Sequence, residues 1–547
     1  MRILFVIPPY RTTDALVAQL YPMPLAATQL AAVVRQQRPD WGIEIKDFLL
    51  PAGKSTTPAP PTFAGKGAPP YIHYGMPMPQ VQEWLRTNLP RFDVVGLCAG
   101  QCNLWETSEL IAAEVRAAGK PLVVGGPFAS TAPEEARRRF QPNIIVKGEG
   151  EGVVVAAFEA ALAGKSLDMV GVAVQDLNTL PLPAWDLAPP TEYPAFNGRK
   201  RGVLCISRGC PWNCTFCAVW TMMSRKHRRL HAERAKAEIL HLFKLGVRYF
   251  SFLDDNLFIS RAATAELLAI LDDLRATVPG FKKCRFYMEE GLEVRMAAEP
   301  GIVRDIVAAG FDNVAIGMET VNAAQARDSK KPYTPEQMAR ALVECDAAGV
   351  VVKAFYIVGF PRDTVASVCR DLVHFGKLGL AARPNNLKLY PGTDVATDYQ
   401  KAGWIGADYD WRLSTFWTPT TPGLRYEQIK KLKTVLGGIG FAADTFGIRV
   451  FGDTGAQALA KLRAHKYQAE VTVGADGVWD ALTITGNMFR PTPYRHMAEA
   501  LVLASGANGC ESTVYGQGVG TVRVVRTLMP KNEVQAGIVA ALQEVKP

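Results

Sequence analysis

The first third of the chain alternates short apolar runs with stretches whose apolar positions recur at helical spacing. Ile3–Ile7 is a continuous apolar run that stops at Pro8-Pro9, the pattern of a strand buried on both faces. Pro24–Arg35 carries Leu25, Leu30 and Val33-Val34 on one side of a predicted helix. Another strand is expected at Asp93–Cys98 (DVVGLC) and another helix at Glu106–Ala117. Two further strands, Leu122–Val124 and Ile144–Val146, run into Gly125-Gly126-Pro127 and Gly148-Glu149-Gly150. Strands alternating with helices predict an α/β unit over residues 1–165, a Rossmann-like doubly wound parallel sheet. Pro51–Pro79, rich in Pro, Gly and Thr, reads as an excursion loop positioned to cover a site.

Asn178–Pro190 holds four prolines and no periodicity, so residues 166–194 are read as a linker. The alternation then resumes, with strands predicted at Gly202–Ser207, Tyr249–Leu253, Cys284–Met288, Asn313–Met318, Val351–Val358 and Asn386–Leu389. Six strand–helix units in succession predict a partial (β/α)6 barrel over 195–422, with its chemistry at the C-terminal strand ends. Residues 423–547 read as a small α+β domain. Strands are expected there at Val471–Val473, Leu482–Thr485 and Thr521–Val525, and helices at Tyr426–Leu436, Ala456–Leu462 and Tyr494–Leu503.

A length of 547 residues calls for several domains, and 48% hydrophobic with 21% charged residues suits large buried cores. No apolar run reaches the eighteen residues of a membrane span, and MRILFVIPPY lacks the apolar length and cleavage site of a signal peptide. The expected location is cytoplasmic. The charge excess is mild, 61 basic against 52 acidic residues, and its one dense run is Arg225-Lys226-His227-Arg228-Arg229. No aromatic-interleaved basic surface accompanies that run, which argues against a nucleic-acid partner.

Ten cysteines are too few for a disulfide scaffold of this size, yet three fall within eight positions. The segment CISRGCPWNCTFCAVW places Cys210, Cys214 and Cys217 in a C-x3-C-x2-C arrangement. Three thiolates on one loop suit three irons of a cubane cluster and leave the fourth iron open. Structural zinc wants four ligands in paired spacings, and no second pair lies nearby. The other seven cysteines are read as small buried hydrophobes.

This motif, between a strand and a helix, resembles the radical S-adenosylmethionine superfamily, over roughly residues 195–395. The resemblance implies a 4Fe–4S cluster on Cys210, Cys214 and Cys217, adenosylmethionine chelated at the open iron, and reductive cleavage to a 5′-deoxyadenosyl radical. It implies an external electron donor of flavodoxin or ferredoxin type. Phe216 matches the aromatic position beside the adenine. Asp254 and Asp255 end the second barrel strand and match the loop near the methionine amino group. Glu319 ends the fourth, where a polar residue meets ribose or carboxylate, and Tyr390, in KLYPGT, lies near the adenine. Glu233 and Glu238 are read as members of a surface helix, with Arg234 and Glu238 at i,i+4 spacing.

Residues 1–165 resemble the cobalamin-binding domain that precedes the barrel in one branch of that superfamily. The features that carry this are Pro8, Pro9 and Tyr10 after the first strand, Gly125, Gly126 and Pro127 after a later one, and Gly148 and Glu149 after the last. Gly100 and Gln101 follow DVVGLC and are placed toward the corrin's lower face. The pattern D-x-H-x-x-G is missing, since Asp14 begins DALVAQ, so cobalamin is expected without a histidine axial ligand. His73, the one histidine of this region, is read as a surface residue. The resemblance implies a cobalamin-dependent radical methyltransferase acting on carbon or phosphorus of a small metabolite, a carrier-bound intermediate or a peptide. Ring closure or rearrangement on the same architecture is the alternative, with methylthiotransfer behind it because only Cys98 and Cys102 are available for a second cluster.

Overall fold

The computed structural model describes residues 1–12, 22–51, 53–57, 71–100, 105–196, 198–312, 314–331, 333–349, 352–368, 371, 381–411, 419–425 and 428–429, and four strands between 468 and 526. The first unit is a six-stranded parallel sheet: β1 Arg2–Ile7, β2 Gly42–Asp47, β3 Val94–Cys98, β4 Leu122–Gly125, β5 Ile144–Gly148 and β6 Leu167–Gly171. Spatial order is β2-β1-β3-β4-β5-β6. Both faces of β1 are covered: Leu4 and Val6 belong to one core cluster, Ile3, Phe5 and Ile7 to the other. That accounts for its unbroken apolar run. Strand order reverses between β1 and β3, and ligands of open α/β sheets bind beyond the carboxyl ends at such a point. The loops there begin at Pro8 and Ala99.

Two strands of this sheet escaped the sequence pattern, and the segment read as an excursion loop, 51–79, also contributes two paired strands, Lys54–Thr57 and Tyr71–Tyr74. β2 (GIEIKD) alternates and lies at one edge. β6 lies at the other edge, paired in parallel with β5, so the sheet continues past residue 165 into the segment read as linker. The proline-rich stretch that follows is packed rather than free. Ala184 N–H donates to Thr28 O, Gln29 donates to Pro181 O, and Arg35 forms a two-point pair with Asp186. Trp185 is 1% exposed and belongs to the barrel's core.

The barrel consists of β7 Arg201–Leu204, β8 Tyr249–Phe252, β9 Arg285–Met288, β10 Val314–Glu319, β11 Val352–Val358 and β12 Ala381–Asn386. They form two three-stranded parallel sheets, β7-β8-β9 and β10-β11-β12, joined by a parallel bridge between Leu292 and Ile316. β12 lies ahead of the expected Asn386–Leu389. Its sequence AARPNN has poor strand propensity, and it is held by pairing with Lys353–Val358. The last described strands, Gln468–Val473, Trp479–Asn487, Ala507–Tyr515 and Val519–Arg526, form an antiparallel sheet. The three helices expected in 423–547 lie outside the described residues, apart from Gln428 and Ile429 near the start of the first. Among the described residues no helix is long and apolar enough to cross a membrane.

Candidate active site

The cysteine loop leaves the end of β7 and is closed by a two-residue antiparallel ribbon that pairs Ser207 with Arg229 and Arg208 with Arg228. Asp254, at the end of β8, is 2% exposed and accepts from the N–H of Ile206 (3.1 Å), the N–H of Ser207 (2.5 Å) and the Ser207 hydroxyl (2.6 Å). Burial pushes its carboxyl up to about 7. Asp255 accepts from Gly209 N–H at 2.8 Å. Gly209 has φ +85°, and a Cβ there would lie 2.4 Å from the Lys226 carbonyl oxygen, so this turn requires glycine. Both aspartates expected near adenosylmethionine therefore root the cysteine loop. Asp254 is fully engaged in doing so, and Asp255 keeps a part-exposed carboxylate.

Cys210, Cys214 and Cys217 are half-buried, unbridged thiols. Cys217 N–H donates to Cys214 O at 3.1 Å, and the loop is held from across the barrel by Thr215 N–H to Ser329 O and Val395 N–H to Thr215 O. Burial raises all three thiols, Cys217 to about 11; coordination to metal reverses this by deprotonating a thiol outright. No three His, Cys, Asp or Glu side chains among the described residues converge on one ion. A cubane has no need of that convergence, since each thiolate holds a separate iron. Cys205 is turned away, donating to Ser207 O, and its thiol is pushed well up by burial and then by Asp254.

Phe216 meets Phe360 edge to face, 5.8 Å between centroids. The Lys331 ammonium stands 5.8 Å over the Phe216 ring and 3.2 Å from Glu319, with the Lys331 and Glu319 side chains each 13% exposed. Glu319 has φ +58° at a strand irregularity, a conformation uncommon away from glycine and frequent at functional positions. Glu290, after β9, keeps exposed surface yet has protein on most sides. That enclosure, followed by the charges of Asp255, Glu289 and Glu319, pushes its carboxyl up to about 7. Glu289 is bound by Arg201 at 2.7 Å. The sequence reading missed Lys331, Glu289 and Glu290. Glu289-Glu290-Gly291 follows a barrel strand and obeys the strand-end rule already applied to Asp254-Asp255, whereas nothing local marks Lys331.

On the first sheet, Pro127 opens a short helix, Pro127–Thr131, after Gly126, whose φ is +104°. Pro127, Phe128 and Thr131 line a cavity of about 190 Å³ together with Phe216, Cys217, Met222 and Tyr390. The expected corrin-edge and cluster-loop residues thus share one space. Pro8 and Pro9 are buried after β1, and Pro9 O accepts from the Thr107 hydroxyl. Tyr10 packs against Tyr74 in a small antiparallel sheet formed by Tyr10–Thr12, Lys54–Thr57 and Tyr71–Tyr74. Gly100 is buried at the end of β3, and Gln101 lies outside the described residues. Gly148 ends β5 with φ +80°.

Glu149 does not face a ligand space. Its side chain is 1% exposed and bound by Arg228 and Arg208. His73, expected at the surface, is 2% exposed; its Nδ1 accepts from Arg11 Nε, so Nε2–H donates to Met76 O. Glu238 is paired with Arg234 as read but is buried, while Glu233 is exposed.

Residues 204–372 match the Radical SAM superfamily. The chain is 26% identical over 340 residues to an uncharacterized methyltransferase of Pyrococcus horikoshii, covering 57% of this chain and 70% of that one. It is 25% identical over 338 residues to the bacteriochlorophyllide d C-8(2)-methyltransferase of Chlorobaculum tepidum, covering 58% and 71%. Among solved structures, the radical S-adenosylmethionine methyltransferase TsrM of Kitasatospora setae, with cobalamin and a [4Fe-4S] cluster bound, superposes with TM-score 0.57 at 16% identity, covering 81% of this chain and 88% of that one.

The half-open acids give a direct expectation. If these acids face adenosylmethionine, Glu319→Ala and Asp255→Asn are expected to weaken its binding about ten- to a hundredfold, the worth of one charge-assisted hydrogen bond. Bound iron is retained, because the amide introduced by Asp255→Asn keeps an acceptor for Gly209 N–H. Calorimetric titration of the anaerobic protein reads this, and unchanged affinity in both variants makes these acids purely structural.

Proposed function

We propose, for a chain whose residues 204–372 form a radical S-adenosylmethionine domain, that it is a cobalamin-dependent methyltransferase. It moves a methyl group from adenosylmethionine to a carbon or phosphorus centre of a small metabolite, a carrier-bound intermediate or a peptide. Electrons come from a flavodoxin- or ferredoxin-type donor, and the reaction is cytoplasmic. The observation that carries this reading is the shared cavity, where Pro127, Phe128 and Thr131 of the first sheet's carboxyl edge meet Phe216, Cys217 and Tyr390 of the barrel.

The residues present fit the groups this requires. Three unbridged thiols on one glycine-rooted loop suit a cluster with an open iron. Lys331 and Glu319 offer opposite charges to the zwitterionic end of adenosylmethionine. The loops after β1 and β3 flank the strand-order reversal, where a planar cofactor belongs. Bound there, the cluster with adenosylmethionine supplies one-electron carbon–sulfur cleavage and the corrin supplies methyl transfer. The chain's own part is positional: Asp254 and Asp255 fix the cysteine loop, and Phe216, Phe128 and Tyr390 line the space with rings.

His73 supports cobalamin without a histidine ligand, because both of its ring nitrogens are already engaged. The bound cofactor, reduced to cob(II)alamin, is expected to give an electron paramagnetic resonance spectrum without nitrogen superhyperfine splitting. A triplet splitting from one axial nitrogen contradicts the ligand assignment, and a protein that binds no cobalamin contradicts the function of the first domain.

A further inference from the structure

Glu149 opens the turn after β5 and reaches two arginines at once. Its Oε1 meets Arg228 Nη2, and its Oε2 lies 3.1 Å from Arg228 Nη1 and 3.2 Å from Arg208 Nη1. Glu151, two residues on, holds the same Arg208 nitrogen at 2.7 Å. The side chains of Glu149 and Arg228 are 1% and 2% exposed. The two arginines are cross-strand partners in the ribbon that closes the cysteine loop. Arg208 directly precedes Gly209-Cys210. Arg228 also donates to Met223 O at 2.6 Å, at the end of the helix after Cys217, and to Val174 O at 2.6 Å, beyond β6. Val174 N–H returns to Glu149 Oε2 at 3.1 Å. Both ends of the cysteine loop are thereby tied to one carboxylate of the first sheet.

Backbone packing reinforces the same joint. Gly171, the last residue of β6, has no room for a side chain, since a Cβ there would fall 1.7 Å from Glu149 O. Met222, one residue before the carbonyl that Arg228 holds, lines the cavity opposite Pro127 and Phe128. A buried ion pair of this kind adds little stability over an apolar contact of equal volume, and its use lies in fixing geometry.

We propose that Glu149 is a positioning residue: with Arg208 and Arg228 it sets the distance between the cluster loop and the carboxyl edge of the first sheet, and so between cluster and corrin. This rests on the function proposed above. The test is pulsed electron paramagnetic resonance on the full-length protein carrying both the reduced cluster and cob(II)alamin, which reads the distance between the two spins. Wild-type protein gives one narrow distance. Glu149→Gln, which keeps the shape and removes the charge, broadens it at least twofold with iron and cobalt content unchanged. Glu151→Gln, which touches Arg208 alone and leaves the deepest pair intact, broadens it less and serves if Glu149→Gln does not fold. A distribution as narrow as wild type in the folded variants overturns the proposal. Absence of either spin in the wild type instead contradicts the underlying function.

Discussion

Replacing Cys210, Cys214 or Cys217 with Ala, one at a time, removes the ~400 nm charge-transfer absorption of a 4Fe–4S centre and nearly all bound iron. In the proposed cluster each thiolate would hold a different iron, so no variant would keep a complete ligand set. Neighbouring sulfur does not rescue them. Cys205 lies only five residues before Cys210, but it is rooted beside Asp254 with its thiol on Ser207 O. Cys205→Ala therefore leaves the absorption in place. Loss of the chromophore in Cys205→Ala together with its retention in Cys210→Ala contradicts the assignment.

Asp254→Ala is expected to be the most damaging substitution that touches no cysteine. It leaves two buried backbone N–H groups and a hydroxyl without their acceptor, at about 1–3 kcal/mol for each unsatisfied group. Water entering the vacated space offsets part of this, and about 3–5 kcal/mol is expected overall, a large share of a typical domain's 5–15 kcal/mol. Urea denaturation of the apoprotein reads it, and a midpoint unchanged from wild type contradicts the clamp. The pH dependence has a definite sign. The folded carboxyl is raised from 3.8 to about 7, so the folded state binds its proton more tightly. Its contribution is full below about pH 4 and is lost as pH rises through 7. Asp254→Asn removes that decline.

Much of this was legible in the sequence, for physical reasons that vary by element. β1 announced itself because a central parallel strand buries both faces and leaves no polar interruption. The cysteine triplet was legible because cluster ligation imposes a local spacing. β6 was missed because an edge strand mixes exposed and buried positions, and Leu167, Asp168 and Val170 face solvent. β12 was displaced because AARPNN owes its strand to its neighbour. Glu149 was placed against a ligand because it ends a strand in the expected turn. Its partner Arg228 is 79 residues away, beyond any local pattern. Arg228 itself belongs to the one dense basic run of the sequence, yet only Arg225 and Lys226 of that run are exposed. His73 was misjudged for the same reason: the loop composition around it is polar, while its burial comes from Arg11 and the small sheet that frames it.

The proposed reaction consumes adenosylmethionine in two ways, as methyl donor and as radical source, and product analysis separates them. Anaerobic protein loaded with cluster and cobalamin is incubated with adenosylmethionine and a low-potential reductant, and adenosylhomocysteine and 5′-deoxyadenosine are quantified by mass spectrometry. Wild type is expected to form both. Omitting cobalamin is expected to stop adenosylhomocysteine, and Cys210→Ala is expected to stop 5′-deoxyadenosine. Adenosylhomocysteine formed equally well without cobalamin would contradict cobalamin-dependent methyl transfer, and 5′-deoxyadenosine formed equally well by Cys210→Ala would contradict cleavage at the cluster.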